Sequence, residues 1–449
     1  MDLSVNTPSR ESEIRPLKHC VDWDFTDEVE SLLVAYRDDA GAIEVDFRKL
    51  VALGSGVDRH THLIHPYPAK LLLNIPLFFI NARQLSPPGG VVYDPFCGSG
   101  TVLLEALLSG RRCVGSDANP LARQIALAKT TWLDPSSLRG ALNSILNCDA
   151  EPVPFSAVLD VSRWYSDHLR TDMSKLLGAI RTSCQGDVKN FMEVCFSACV
   201  KRLSSSDQRL SVPVRLKDEA LIAHLESIPK VLDLFARVVR QNIARIGQLP
   251  AEARPIEILQ DARDHLDASS LPDVDLVITS PPYAGAQKYI RASSLSLGWL
   301  GLAPDAKLRN LERKNIGREH FSRDEISELN LDDRIGASEV LHEIREINSI
   351  RAHIAGKYLE EMADAADAIV GRMKPGAHLV LIAGDNEVCG KTFRTTLFLR
   401  RIFELRGLTT KLELVDTIKS RGLMTKRNRS AGKIEREHVF VLAKPIWEN

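Results

Sequence analysis

The chain has 449 residues, 44% of them hydrophobic and 26% charged, with a formal net charge of −1. This is an ordinary soluble composition with room for two or three domains' worth of core, and it gives no global electrostatic pull toward nucleic acid, so any such binding must come from local basic patches. Eight cysteines are scattered without a CxxC pair, which argues against a disulfide framework or a zinc site and for a reducing cytoplasm.

Residues 1–16 lack a basic-then-apolar pattern, so no signal peptide is expected. The apolar run 71–80 is interrupted by Asn74 and Pro76 and is too short to span a bilayer. Residues 1–57 read as a lead-in with a helical stretch at 27–37. The run Asp58-Arg-His-Thr-His-Leu-Ile-His-Pro-Tyr-Pro-Ala-Lys70 precedes a helix expected over 69–84. A strand at 91–93, a helix over 102–109, a second strand at 112–116 and a helix over 121–129 follow. This alternation predicts an α/β, doubly wound, mostly parallel sheet.

From 136 to 255 the pattern turns helical, with amphipathic segments expected at 164–180, 188–203 and 216–246. That is a helical insertion far longer than an ordinary crossover. Cys195 and Cys199 share one helix face there and read as core packing. Strands resume at 256–259 and 273–278. A polar, charge-rich stretch at 305–347, a helix over 355–373 and a strand at 378–382 come next. Runs at 411–418 and 438–442 are expected to form an antiparallel pair around a basic loop, 419–433. The chain thus divides into a lead-in (1–57), a first sheet segment (58–135), the insertion (136–255) and a second sheet segment (256–449).

Two corners carry chemistry. Asp94-Pro-Phe-Cys-Gly-Ser-Gly-Thr101 lies where the first strand turns into its helix. Glycines there admit a ligand close to the backbone, and a helix N-terminus welcomes negative charge. Leu103 occupies the third-glycine place of G-x-G-x-x-G, and no P-loop lysine follows, so NAD and ATP are disfavoured. Asp117 ends the second strand, where a carboxylate grips ribose hydroxyls, and Asp94 is placed to bond an amine or a water beside a small ligand. Asp261, after the third strand, could accept from an exocyclic adenine amine. A tight turn and two helix caps remain the plain alternatives for these residues.

The second corner is Thr279-Ser-Pro-Pro-Tyr283. Two prolines fix φ, remove two donors and leave stiff, extended backbone. Ser280 and the Pro281 carbonyl can hold the N–H groups of an aromatic amine, favour sp³ character at its nitrogen and take up the lost proton. Tyr283 offers a stacking face for a nucleobase, which must leave its duplex to reach such a pocket. A proline turn with a packed tyrosine is the alternative.

On these residues the chain resembles the S-adenosylmethionine-dependent amino-methyltransferases of DNA, cytosine-N4 and adenine-N6 type. Asp94–Thr101 is similar to that family's methionine-side cofactor motif, and Thr279–Tyr283 to its catalytic motif in the form most typical of cytosine-N4 enzymes. His65-Pro-Tyr-Pro-Ala-Lys70 resembles the element that precedes the first strand. The resemblance implies a Rossmann-like methyltransferase sheet with an antiparallel C-terminal strand. It implies S-adenosylmethionine bound by Tyr67, Pro68, Asp94, Phe96, Gly98, Gly100, Thr101, Asp117 and Asp261. It implies catalysis at Ser280, Pro281, Pro282 and Tyr283 without a metal. Double-stranded DNA is the implied substrate, in the cytoplasm; a cognate restriction endonuclease is a possible partner that the sequence itself does not encode. Candidate DNA-reading segments are 303–350, with its basic run 307–318, the loop 419–433, and the insertion around Lys201, Arg202 and 204–207. Cytosine N4 is favoured over adenine N6. An RNA guanine-N2 methyltransferase usually carries Asp or Asn where Ser280 stands, and a non-catalytic nucleic-acid scaffold would not need Ser280 and Tyr283.

Overall fold

A computed structural model describes residues 23–53, 60–68, 70–155, 158–264, 271–285, 289–303, 307–417 and 436–446. Its strands are β1 Ile43–Val45, β2 Val91–Asp94, β3 Arg112–Ser116, β4 Glu257–Leu259, β5 Val274–Thr279, β6 Met373–Ala383, β7 Asn386–Val388, β8 Lys391–Phe393, β9 Thr409–Thr417 and β10 Arg436–Ala443. β7 and β8 form a separate hairpin. The other eight make one sheet in the order β1-β9-β10-β6-β5-β2-β3-β4. β10 runs antiparallel to both neighbours and every other adjacent pair is parallel. The expected doubly wound, mostly parallel sheet with an antiparallel C-terminal strand is therefore present.

Central strands of such a sheet are buried on both faces, which is why they read as apolar runs. The pleat sorts their side chains by parity. Val92, Leu276, Ile278, Val380 and Ile382 join one core with Phe78 and Phe79 of the helix Asn74–Ile80. Val91, Tyr93, Val277, Leu379 and Leu381 join the opposite core with Leu359, Met362 and Ile369 of the helix Ser349–Arg372. A one-residue slip of any central strand would exchange these two sets.

The direction of strand addition reverses at β2. From β2 the chain moves through β3 to β4, then returns to place β5 on the other side. Ligands bind outside the carboxyl ends of parallel strands at such a reversal. Both chemical corners lie there.

A third core lies in the helical segment. Helices Pro135–Leu146, Asp167–Ser183, Gly186–Val200 and Val231–Ile246 bury Leu142, Met173, Phe196 and Phe235 in one cluster. That cluster also takes in Tyr67, Leu121 and the helix Tyr289–Leu300. Trp299 of the latter is met edge-on by Phe155, Tyr165 and Phe196. Cys195 and Cys199 are buried in this cluster, as read from their helix face.

Several element boundaries differ from the sequence reading, mostly at prolines. The helix expected over 69–84 is only Asn74–Ile80. Pro76 is tolerated because it sits in the first turn, and the residues ahead of it stay non-helical. The segment 216–246 is two helices, Asp218–Ser227 and Val231–Ile246, parted at Pro229, which pushes Ile228 into extended geometry. The stretch 305–347 contains the helices Leu308–Lys314 and Ser338–Ile347. The following helix begins at Ser349, where the Asn348 side chain accepts the Arg351 N–H at 3.0 Å. Among the described residues no helix is long and apolar enough to cross a membrane.

Candidate active site

The glycine corner is built by two left-handed residues. Gly98 has φ of 50° and Gly100 φ of 76°, values that L side chains rarely adopt. The loop is tied to the next strand: the Cys97 N–H donates to the Ser116 carbonyl at 2.9 Å, and the Gly98 N–H to Asp117 Oδ2 at 2.9 Å. A Cβ on Gly100 would stand 3.0 Å from the Ala126 methyl, so the turn packs on the helix Pro120–Thr130. Leu103, the residue that replaces a third glycine, is fully buried. Its room comes from Gly115 in β3, where a Cβ would approach Leu103 Cδ1 to 2.8 Å. Thr101 begins the helix Thr101–Leu108.

Asp117 organises the end of β3. Besides Gly98 it accepts the Asn119 N–H at 2.8 Å, and its carbonyl accepts Arg123 Nη1 at 2.6 Å. Desolvation raises its pKa to about 6, against the pull of the two backbone donors. Asn119 extends the network, with Nδ2 donating to the Tyr67 hydroxyl and to Ser293 Oγ, each at 3.2 Å. The Tyr67 ring lies over the glycine turn, Cε1 standing 3.8 Å from where a Gly98 Cβ would be, and Pro68 follows it in a loop, half-buried. Beneath the turn the Lys129 ammonium, fully buried, donates to Ser99 Oγ at 3.3 Å; burial drives its pKa well down. His65 is also buried, its Nε2 2.9 Å from Ser197 Oγ, and burial lowers its pKa to about 3, so its ring is neutral.

The two corners meet directly. β2 and β5 are neighbours, with Val92 opposite Leu276 and Tyr93 opposite Val277, so both chains leave the sheet on one edge. The Thr279 hydroxyl donates to Asp94 Oδ1 at 2.9 Å, and the Phe96 N–H to the same oxygen at 3.1 Å. Phe96 itself is half-buried. Burial raises the Asp94 pKa to about 7; the two donors oppose the rise and Asp117 adds to it. Past Thr279, Ser280 is half-buried, Pro281 buried, and Pro282 and Tyr283 half-buried. Gly317 closes behind Tyr283, since a Cβ there would come within 2.7 Å of the Tyr283 carbonyl oxygen. A small cleft runs beside this contact, between Tyr289–Arg291 and the segment 312–320.

Asp261, the residue expected to accept from an adenine amine, also has a partner within the fold. It follows β4, next to β3, and its oxygens hold Arg263, Nε to Oδ1 at 2.9 Å and Nη2 to Oδ2 at 2.6 Å. An adenine amine would have to share this carboxylate with a guanidinium. Sequence reasoning also missed Asn119, Ser293 and Arg263. Asn119 had a signal in Asn-Pro, but it reads as a cap, a role its Oδ1 does fill by accepting the Leu121 N–H at 3.1 Å.

The fit to an adenosyl sulfonium ligand rests on this donor set: two desolvated carboxyls side by side, a tyrosine ring over a glycine turn, and a crevice at the sheet's reversal point. Among the described residues no group of three or more His, Cys, Asp or Glu could hold a metal ion.

Comparison with known proteins agrees with this chemistry. Residues 55–128 match the family model described as DNA methylase, of N6/N4 type. The chain is 26% identical over 297 residues to the type II methyltransferase M.MvaI of Kocuria varians, covering 59% of this chain and 63% of that enzyme. It is 33% identical over 89 residues to the type II methyltransferase M.MjaII of Methanocaldococcus jannaschii, covering 20% of this chain and 16% of that one. The chain thus spans less than two thirds of the length of either relative. Among solved structures, TrmN from Thermus thermophilus aligns with a TM-score of 0.30 and 13% identity, over 86% of this chain and 51% of that one. The sequence matches support the resemblance to amino-methyltransferases of the N4/N6 type, and with it S-adenosylmethionine as cofactor.

Proposed function

We propose that the protein transfers a methyl group from S-adenosylmethionine to the exocyclic amine of a base extruded from double-stranded DNA, cytosine N4 before adenine N6. The observation that carries this reading is the 2.9 Å bond from Thr279 to Asp94, which joins the cofactor-type corner to the amine-gripping corner.

In this reading Tyr67, Pro68, Phe96 and the Gly98–Gly100 turn hold the methionine side, with Asp94 beside the cationic centre, Thr101 at the helix start and Asp117 on the ribose hydroxyls. S-adenosylmethionine supplies an electrophilic methyl carbon on a sulfonium. Ser280 Oγ and the Pro281 carbonyl accept the two amine hydrogens. That would pull the nitrogen lone pair out of conjugation and free it to take the methyl group that the bound cofactor would supply, the C–S bond giving way to N–C. The surplus amine proton leaves through the Ser280 hydroxyl to water. Pro281 and Pro282 keep the acceptors rigid, so little reorganisation is needed at the moment of reaction. Extrusion costs a few kcal/mol, and stacking on Tyr283, about 1–3 kcal/mol, offsets part of it.

The purified protein, incubated with cofactor and with duplex DNA or tRNA in parallel, should methylate DNA. Mass spectrometry of the nucleosides should give 4-methylcytosine. A 6-methyladenine product would move the specificity to adenine, and methylated tRNA alone would overturn the reading.

The basic loop 419–433 is our preferred DNA-reading segment, although it lies outside the described residues. The strands that flank it, β9 and β10, meet at Thr417 and Arg436 on the edge that carries both corners. The other candidates have partners within the fold. Arg309, Arg313 and Arg318 converge on Glu325 at 3.7, 3.1 and 2.9 Å. Ser204 donates to the Lys201 carbonyl at 2.7 Å, and Asp207 pairs with Arg209. Replacing Lys426, Arg427 and Arg429 by alanine should flatten the slope of log affinity against log salt by up to about 0.9 per lost phosphate contact, leaving cofactor affinity intact. An unchanged slope would remove this loop from the interface. If the enzyme serves a restriction–modification pair, as the type II names of its relatives suggest for them, a cognate endonuclease is its partner.

A further inference from the structure

We propose that Lys129 is a positioning residue: through the hydroxyl of Ser99, the middle residue of the glycine turn, it supplies the counter-charge for the α-carboxylate of the bound cofactor. The inference rests on the reading above that places the methionine side of S-adenosylmethionine at this turn.

Lys129 lies in the last turn of the helix Pro120–Thr130. A lysine at a helix end ordinarily runs its stem along the surface and keeps its ammonium in water. Lys129 turns inward instead and is 0% exposed. Among the described residues Ser99 Oγ, at 3.3 Å, is the hydrogen-bond partner of that ammonium, which has further hydrogens to donate. The backbone is tied at the same point, since the Thr61 hydroxyl donates to the Lys129 carbonyl at 2.6 Å. The nearby charges leave the cation in excess. Glu105 is the carboxylate that attracts Lys129, but its Oε1 already stands 2.6 Å from His62 Nε2. Lys70, whose Nζ donates to the carbonyls of His62 and His65 at 2.9 Å each, repels it. A buried ammonium so placed is costly until an anion comes within reach.

Ser99 is the outlet for this charge. It stands between Gly98 and Gly100, both at left-handed φ, in the turn that the Tyr67 ring covers. Its oxygen accepts from Lys129, so its own hydrogen must turn elsewhere, and no described residue accepts it. A hydroxyl that accepts from a cation is polarised and donates more strongly, and a bond from it to an ionised acceptor gains further. The anionic group that S-adenosylmethionine brings to this corner is its α-carboxylate. The buried cation would then recognise that group without touching it.

The test is isothermal titration of the full chain and of Ser99→Ala, Lys129→Met and their combination. The probes are S-adenosylhomocysteine and its decarboxylated analogue, which differ by the carboxylate alone. In the unmutated chain the carboxylate should improve Kd roughly 10- to 100-fold. Each single change should raise the Kd of S-adenosylhomocysteine roughly tenfold and leave that of the analogue unchanged. The double variant should be no worse than the weaker single one, because both changes break one chain of hydrogen bonds. The analogue is the folding control, since a distorted turn weakens both probes. Equal losses for the two probes would reduce Lys129 and Ser99 to shaping the turn and overturn the proposal. So would an unaltered preference for the carboxylate in Ser99→Ala, a variant that loses one oxygen and leaves the buried cation in place. Failure of the unmutated chain to bind either S-adenosylmethionine or S-adenosylhomocysteine would instead sink the functional reading on which this one stands.

Discussion

Ser280→Ala should lower the turnover number roughly 100- to 1,000-fold and leave the Kd for S-adenosylmethionine unchanged. The exocyclic amine of a nucleobase is a poor nucleophile because its lone pair belongs to the ring. In the proposed mechanism two acceptors oppose that delocalisation, and only one, the Pro281 carbonyl, survives the substitution. The lost interaction strengthens as positive charge develops on nitrogen, so its absence should fall on kcat and not on KM. The fold gives no reason for a structural loss: Ser280 is half-buried at the end of β5, whereas Thr279, the residue bonded to Asp94, is untouched. Single-turnover methyl transfer with the variant and a measurement of cofactor affinity separate the two effects. A variant with unchanged turnover would show that the amine is held elsewhere. Tyr283→Ala should also reduce transfer, but through DNA, since it removes the stacking face.

Cofactor affinity should rise with pH, by on the order of tenfold per unit below the carboxyl pKa values, and level off above about pH 7. Asp94 and Asp117 are pushed up by burial to about 7 and about 6. A cationic ligand beside Asp94 favours the ionised carboxylate, so binding below those values must expel protons. The stability of the cofactor-free protein should move the other way. Both carboxyls bind protons more tightly when folded than when unfolded, so their contribution is complete below pH 4 and is lost as pH rises through 6 and 7. Each group accounts for at most about 1.4 kcal/mol per pH unit across its window. Asp94→Asn should remove the upper part of both trends and weaken cofactor binding at pH 8. Isothermal titration and thermal melts from pH 5 to 8 read them together. A pH-independent Kd in the unmutated chain would sink the assignment of Asp94 and Asp117 to a cationic adenosyl ligand.

Much of this site was legible in the amino-acid order because its signals are local. Glycines 98 and 100 announce a turn that only left-handed φ permits, and Ser-Pro-Pro at 280–282 announces backbone that cannot enter a helix. Apolar strands bounded by such turns gave the sheet, its parallel sense and the antiparallel pair at the end. Proline also accounts for the errors at 69–84 and 216–246, where hydrophobic periodicity ran on through Pro76 and Pro229 and was read as one helix.

What needed three dimensions was every pairing between distant positions. Local order named Asp94 and Thr279, but 185 positions part them, and only the adjacency of β2 and β5 makes one the acceptor of the other. Asp261 was named for an adenine amine or a cap, and only the fold shows Arg263 bonded to it. Leu103 looked like a defect in a glycine motif until Gly115, on another strand, gave it space. The physical reason is the same in each case. Turn chemistry and periodicity are fixed by neighbours along the chain, whereas the partner of a buried polar group is chosen by which strands lie side by side, and that is decided by the packing of the whole sheet.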